Sequence, residues 1–474
     1  MVVTMLLVVA LAEVFAYFSR TISLNRATIE MAGQLRGVTQ RLQADLDGIT
    51  VPVRPWPQTG SGLGYFEYFE GPDRDYNATR TDLSFGDVDD IIMFTSRSKG
   101  EPYLGRISSS YSDDGTTSFF SNLAEIVWWI SLDDKNGNGS WDSNIGERFQ
   151  LHRRTLLIRP ELNNDQGYLV ATSDSLSKFQ NENDLSVHVD RIGGQRVLVA
   201  NSLADLTIRK NRFAHVSMFQ TPFSMRRGFP HRIDNVDFPG GSPPVIGLLK
   251  SAWALHDETA ASVYHEGEDV VLANVLAFDL KAFDPTVPIR RLPATGEALL
   301  PSDPGYTTAG AIQIGQGGYV DLHYNTAMNS YFSDGPQARS QLYIPAAGGF
   351  RALATYDTWS YDYEHDGVNQ DGPVATPDPL RSPTPKLVDT TANRIDEGTD
   401  GYDTPDFNGS YDGGIDDVLE FETSPPYPVP LRGIQIRIRI IDPDSRQVRQ
   451  MTVVSRSEER RVGKECRSRW SPYH

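Results

Sequence analysis

Cysteine is nearly missing from this chain of 474 residues: it has one, Cys466, in the last stretch before the end. An intramolecular disulfide, thiol catalysis and a cysteine-ligated metal are therefore excluded for the body of the protein. Proline does not occur before Pro52, so nothing breaks a helix over the first fifty residues. Basic residues are too few to balance the acids. There are 44 Lys and Arg against 62 Asp and Glu, a net charge of −18, which opposes affinity for nucleic acid. Familiar catalytic patterns are missing too. There is no G-x-S-x-G, H-E-x-x-H, phosphate-binding loop or dinucleotide fingerprint, so a non-enzymatic protein is expected. His256, Asp257, Glu258, His265 and Glu266 lie close together, but in no metal or acid–base spacing, and read best as solvated loop residues.

What is present begins with "MVVTMLLVVALAEVFAYFSR". Val2 to Phe18 is apolar except for Thr4 and Glu13, and spans roughly 25 Å as a helix. No basic segment precedes it and no small-residue cleavage site follows, as a secretory signal would require. Met31, Leu35, Val38, Leu42 and Leu46 then recur at helical spacing, one apolar stripe opposite Arg26, Glu30, Arg36 and Arg41. The pattern predicts one helix from Val2 to Asp47, with a membrane half at 1–18 and an amphipathic half at 19–47. Glu13 falls inside the membrane half. There it is expected to pair with a neighbouring subunit's cation, to be protonated, or to sit near the interface.

Residues 456–474, "RSEERRVGKECRSRWSPYH", are basic and without periodicity. The string resembles a sequencing adapter translated in frame, and is set aside as a foreign tail. By the same logic Met1 is expected to be an internal residue.

The body, 48–455, is rich in turn formers, with 40 glycines and 30 prolines in the whole chain. Runs such as "DIIMFTSR" (90–97), "AEIVWWISL" (124–132), "RRTLLIRPEL" (153–162), "VLVANSLADLTIR" (197–209), "VVLANVLAFDLKAFD" (270–284) and "GIQIRIRII" (433–441) predict strands, several of them half-buried and antiparallel.

The order of these elements carries a resemblance. A neck helix ends in "RLQADL" (41–46). "DDIIMFTS" follows, then "AEIVWWISL" with "FQLHRRTLLIRP", then "NVLAFDLKAFD", Trp359, and a closing "VPLRGIQIRIRI". This series is similar to that of the J-type minor pseudopilins of type II secretion and the W-type minor pilins of type IV pili, with the prepilin methylation segment truncated. Insertions around 210–250, 285–345 and 360–428 exceed the usual size of that family. The resemblance implies an α+β fold: a long N-terminal helix packed on an antiparallel, β-rich head with long loop insertions. It implies a subunit that primes or caps a filament, partnered by other minor pilins through the helix. The helix would anchor it once in the inner membrane, with the head in the periplasm or otherwise outside the cytoplasm at the filament tip. A conventional signal anchor with a helical neck is the competing reading of the first 47 residues. Competing functions are a membrane-anchored binding protein or adhesin outside any pilus system and, third, an anchored hydrolase.

One stretch of the body has legible chemistry. In "DDKNGNGSWD", Asp134, Asn136, Asn138, Ser140 and Asp142 match alternate positions of an EF-hand calcium loop, with Gly139 at the bend. Ile145 stands where the bidentate glutamate belongs, and Glu147 is the nearest substitute. An Asn/Gly/Asp hairpin turn needs no metal and fits the same residues. Two further acidic stretches, 361–372 and 396–417, either add calcium ligands or are solvated loops. A patch of Arg209, Lys210, Arg212, Arg226, Arg227 and Arg232 alternates with phenylalanines. It suits a partner-facing loop, or pairing with the acidic loops, better than nucleic acid.

Overall fold

The fold was described from a computed structural model. It describes residues 2–53, 62–70, 86–88, 90–108, 118–133, 148–171, 179, 183–193, 195–208, 211–213, 270–301, 303, 305–306, 310–322, 324, 343–344, 350–351, 354–358, 375–377, 385–387 and 430–456. Helix α1, Val2–Asp47, is continuous. Strands follow in the order β1 Phe66–Glu70, β2 Ile91–Arg97, β3 Tyr103–Arg106, β4 Ser118–Ser121, β5 Leu123–Asp133, β6 Arg148–Leu157, β7 Val170–Ala171, β8 Val187–Ile192, β9 Gln195–Ala200, β10 Val270–Arg291, β11 Ala298–Leu299, β12 Ile312–Val320, β13 Tyr343–Ile344, β14 Phe350–Arg351, β15 Ala354–Asp357, β16 Ala375–Pro377, β17 Pro385–Leu387, β18 Gly433–Ile441 and β19 Val448–Arg456. The main sheet runs β15-β1-β2-β5-β6-β10-β18-β19, with β11 and β12 also on β10, and every pairing in it is antiparallel. A small β7-β9-β8 sheet and the β3-β4, β13-β14 and β16-β17 pairs complete the described strands.

The central strands are apolar on both faces because both faces are covered. Ile92, Phe94, Ile126, Trp128 and Ile130 join the core under the helix. Their sequence neighbours Ile91, Met93, Val127 and Trp129 join a second core on the opposite face, with Leu206 and Phe213. Alternation of side chains across the pleat makes an unbroken run such as "IVWWI" serve two cores at once. In "RRTLLIRPEL" the strand stops at Leu157, and Pro160 opens a 3-10 turn, Pro160–Leu162. In "VLVANSLADLTIR" it stops at Ala200, before a second turn at Asp205–Thr207.

Met31, Leu35, Val38, Leu42 and Leu46 are buried in the core beneath the helix. Asp45, in the last turn, is buried as well. Arg153 grips both its oxygens, Nε to Oδ2 at 2.7 Å and Nη2 to Oδ1 at 2.8 Å, and the Trp128 indole donates to Oδ2 at 3.1 Å. The Arg-Arg pair of β6 thus divides between the faces of the strand: Arg153 holds the helix, and Arg154 meets Asp184 at 3.2 Å. The helix ends at Gly48, whose N–H donates to the Asp45 carbonyl at 3.0 Å and whose carbonyl accepts from Arg97 N–H at 2.8 Å.

Two expectations are corrected here. The molecule is mostly antiparallel β and not an α+β protein with a long helix packed along its head. Among the described side chains, those of α1 meet the head from Thr28 onward, beginning with a Thr28 hydrogen bond to Gln447 at 2.6 Å. The reason is length. β18 and β19, at nine residues each, reach about 30 Å at ~3.3 Å per residue, which covers about twenty residues of helix at ~1.5 Å each. The expected membrane anchor is corrected too: among the described residues no helix is long and apolar enough to cross a membrane. The apolar run stops after Phe18 and contains Glu13, so its roughly 25 Å falls short of the ~30 Å hydrocarbon layer. A single-pass position in the inner membrane loses its basis with the anchor, and the description as a transmembrane protein goes with it. At the far end, Arg456 pairs with Gly433 as the last residue of β19. The remainder of the suspected foreign tail, 457–474, lies outside the described residues.

Candidate functional site

The sequence-derived calcium ligands, Asp134, Asn136, Asn138, Ser140, Asp142 and Glu147, lie outside the described residues, as do the acidic stretches 361–372 and 396–417 and the group from His256 to Glu266. The structure gives only the frame of the first loop. It connects β5 to β6, whose ladder runs down to the pair Asp133 and Arg148, so its ends belong to a hairpin. Of the basic patch only Arg212 and Phe213 are described, and both are buried. Arg212 does not face a partner. Its Nη1 lies 2.8 Å from both Glu67 Oε2 and Asp357 Oδ2, and its guanidinium stacks 4.2 Å from the Tyr65 ring. Burial pulls its basicity down, but Asp357 and Glu67 outweigh burial and hold it firmly charged. Beside it, Glu125 accepts from Tyr65 Oη at 2.7 Å, Phe213 N–H at 2.7 Å and Ser186 Oγ at 2.6 Å. This network ties the 211–213 segment to β1, β5 and β15 and is fully engaged in doing so.

Two features remain as candidate sites. The first is the free part of α1. Val3, Met5, Leu7, Val8, Leu11, Phe15, Phe18 and Ile22 are all exposed, Val3 at 75% and Phe15 at 72%. With Val9 and Tyr17, also exposed, these positions surround the helix rather than forming a stripe, and a helix that is apolar all round is stable only when buried. Each such side chain contributes about 1.5–3 kcal/mol on full burial. Glu13 is exposed on this same segment.

The second is a gap in the main sheet. β6 pairs with β10 as far as Val275, and β12 joins β10 at Ala282. Between them the β10 backbone is met by a short segment before β2. Gly86 N–H donates to the Leu276 carbonyl at 2.9 Å, and Phe278 N–H to the Asp87 carbonyl at 2.8 Å. Leu280 N–H donates to Asp90 Oδ2 at 2.6 Å, and Tyr68 Oη to the Leu280 carbonyl at 2.6 Å. Three buried carboxylates converge there: Glu70 at the end of β1, Asp87 and Asp90. Glu70 Oε2 also contacts Tyr68 Oη and accepts from Leu322 N–H at 3.0 Å. Burial first, then Asp321 and Asp87, push the Glu70 carboxyl well above the usual carboxylate range, against the Tyr68 hydrogen bond and Lys281. Lys281 is bound to Asp321 at 2.5 Å and Asp279 at 3.3 Å.

Sequence reasoning passed over this cluster because Glu70 stands well apart from Asp87 and Asp90 in the chain. One signal was available. In "FEYFE", period-two alternation puts Glu70 on the same face as Phe66 and Tyr68, a carboxylate at an inward position. No protein-family model matches this chain, and no curated protein or solved structure shows significant similarity to it.

Proposed function

We propose that this chain is a non-enzymatic assembly subunit, of the kind represented by minor pilins and pseudopilins, that joins its partners through the N-terminal part of α1. One observation carries the reading: the described side chains of an apolar segment, Val3 to Phe18, are exposed around the helix, and the segment is continuous with a helix fastened to the head by Met31–Leu46 and the Asp45–Arg153 pair. Helices of like subunits supply the apolar surroundings that this segment lacks, and the stiff connection fixes where the β-rich head sits on the resulting bundle. The broad head suits a capping or priming position, since it would crowd a repeating lattice.

Site-specific cross-linking tests this. In a Cys466→Ser background, cysteine at Leu11 or Phe15 is expected to give inter-chain disulfides on mild oxidation, whereas cysteine at Ile192, exposed on the head, is not. Equal cross-linking from the helix and the head, or none from the helix, would contradict the proposal.

A further inference from the structure

We propose that Glu70, Asp87 and Asp90 form a binding site for a divalent cation of the calcium class, lodged in the gap of the main sheet between β6 and β12. The site is independent of the assembly reading. One carboxylate oxygen from each of the three lies within 4.8 Å of the others. Two oxygens on opposite sides of a calcium ion, each at about 2.3–2.6 Å, are separated by about that distance.

A second observation points to a ligand. Glu70 is 3% exposed, and its Oε1 has no hydrogen-bond donor, while Oε2 contacts Tyr68 Oη and accepts from Leu322 N–H. A buried carboxylate oxygen without a donor is costly, and a cation satisfies it directly. The other contacts prepare the site. Leu322 N–H fixes Glu70, and Leu280 N–H fixes Asp90 through Oδ2. Outer hydrogen bonds of this sort orient ligating carboxylates. Lys281, the cation that acts on Glu70, is bound to Asp321 and Asp279, so it offsets those two acids rather than the cluster.

The donor set also selects the ion. All three ligands are carboxylate oxygens, without His or Cys, which suits a hard cation rather than zinc. The three side chains are buried, which favours calcium, bound largely by protein oxygens, over magnesium, which usually keeps several waters. A bound ion would tie the end of β1 to the start of β2, beside the edge of β10 that lies opposite β18 and has no neighbouring strand between β6 and β12.

The test uses the full chain, freed of metal by a chelator. Terbium(III) serves as the probe, because Tyr68 touches Glu70 and can sensitise its emission. The expected result is tyrosine-sensitised emission that calcium displaces, with calcium raising the thermal unfolding midpoint. Glu70→Gln is expected to lose both responses, and the pair Asp134→Ala with Asp142→Ala to keep them. Tyr68→Phe is expected to dim the emission yet keep the calcium shift, which keeps the test decisive should Glu70→Gln fail to fold. Absence of both responses in the unaltered chain overturns the proposal. So does a Glu70→Gln protein that responds like the parent, or emission unchanged in Tyr68→Phe.

Discussion

Gly48 has no room for a side chain. A Cβ there would stand 2.5 Å from the Arg97 carbonyl and closer still to Ser96 Oγ, because the helix terminus lies directly on β2. Gly48→Ala should therefore destabilise the head by about 1–3 kcal/mol, read as a lower urea midpoint; an unchanged midpoint would mean that this junction is loose. Beside it, Asp45 and Arg153 form a buried pair. Asp45→Ala leaves the guanidinium without its carboxylate and should cost about 3–5 kcal/mol. Replacing Arg153 by Met in the same protein should recover part of that loss, a coupling that a double-mutant cycle measures directly. His152 gives the pH dependence. It is buried and stacked on Trp129 with ring centroids 5.0 Å apart, and burial lowers its pKa to about 4. The unfolded chain takes up a proton near pH 6.5 that the folded chain refuses, so stability falls as pH drops from about 6.5 to 4, by about 3 kcal/mol in all. His152→Phe should flatten that part of the stability–pH curve; an unaltered slope would place its cause elsewhere.

At the scale of elements, α1 is two different objects in one continuous helix. Leu42 is fully buried, whereas Phe15 is 72% exposed. Leu42→Ala should cost about 2–5 kcal/mol, while Phe15→Ser should move the unfolding midpoint by no more than about 0.5 kcal/mol. Comparable losses from both would show that the first turns also pack on the head. The buried stripe was legible in the sequence because a helix on a flat sheet repeats its contacts at regular spacing. The central strands were legible because burial on both faces leaves unbroken apolar runs such as "IVWWI" between their few polar residues. β10 was only partly legible. It was expected to end near Asp284 but continues to Arg291, past Pro285 and Pro288, where its register with β12 shifts. Proline in a strand reads as an end unless the bulge that accommodates it is known. β1 and β12 carry no long apolar run and are defined by neighbours distant in sequence, β15 for β1 and β10 for β12.

For the whole molecule, the sequence overstated how much of the helix packs on the head because apolar periodicity says that a face is buried without saying by what. Sheet dimensions limit the head's share of that burial to the part from Thr28 onward, and the segment before it was read as a membrane span from hydropathy alone. The carboxylate gap was illegible for a related reason. Glu70, Asp87 and Asp90 become one site only through the pairing of β1 with β2 and the departure of β6 from β10. The central claim is that the exposed part of α1 is an assembly surface, and sedimentation velocity across a range of concentrations tests it most directly. The full chain should associate increasingly with concentration. A chain lacking residues 2–22 should sediment as a monomer and unfold at the same midpoint. A full chain that stays monomeric throughout, or a truncated one that associates to the same extent, would contradict the account.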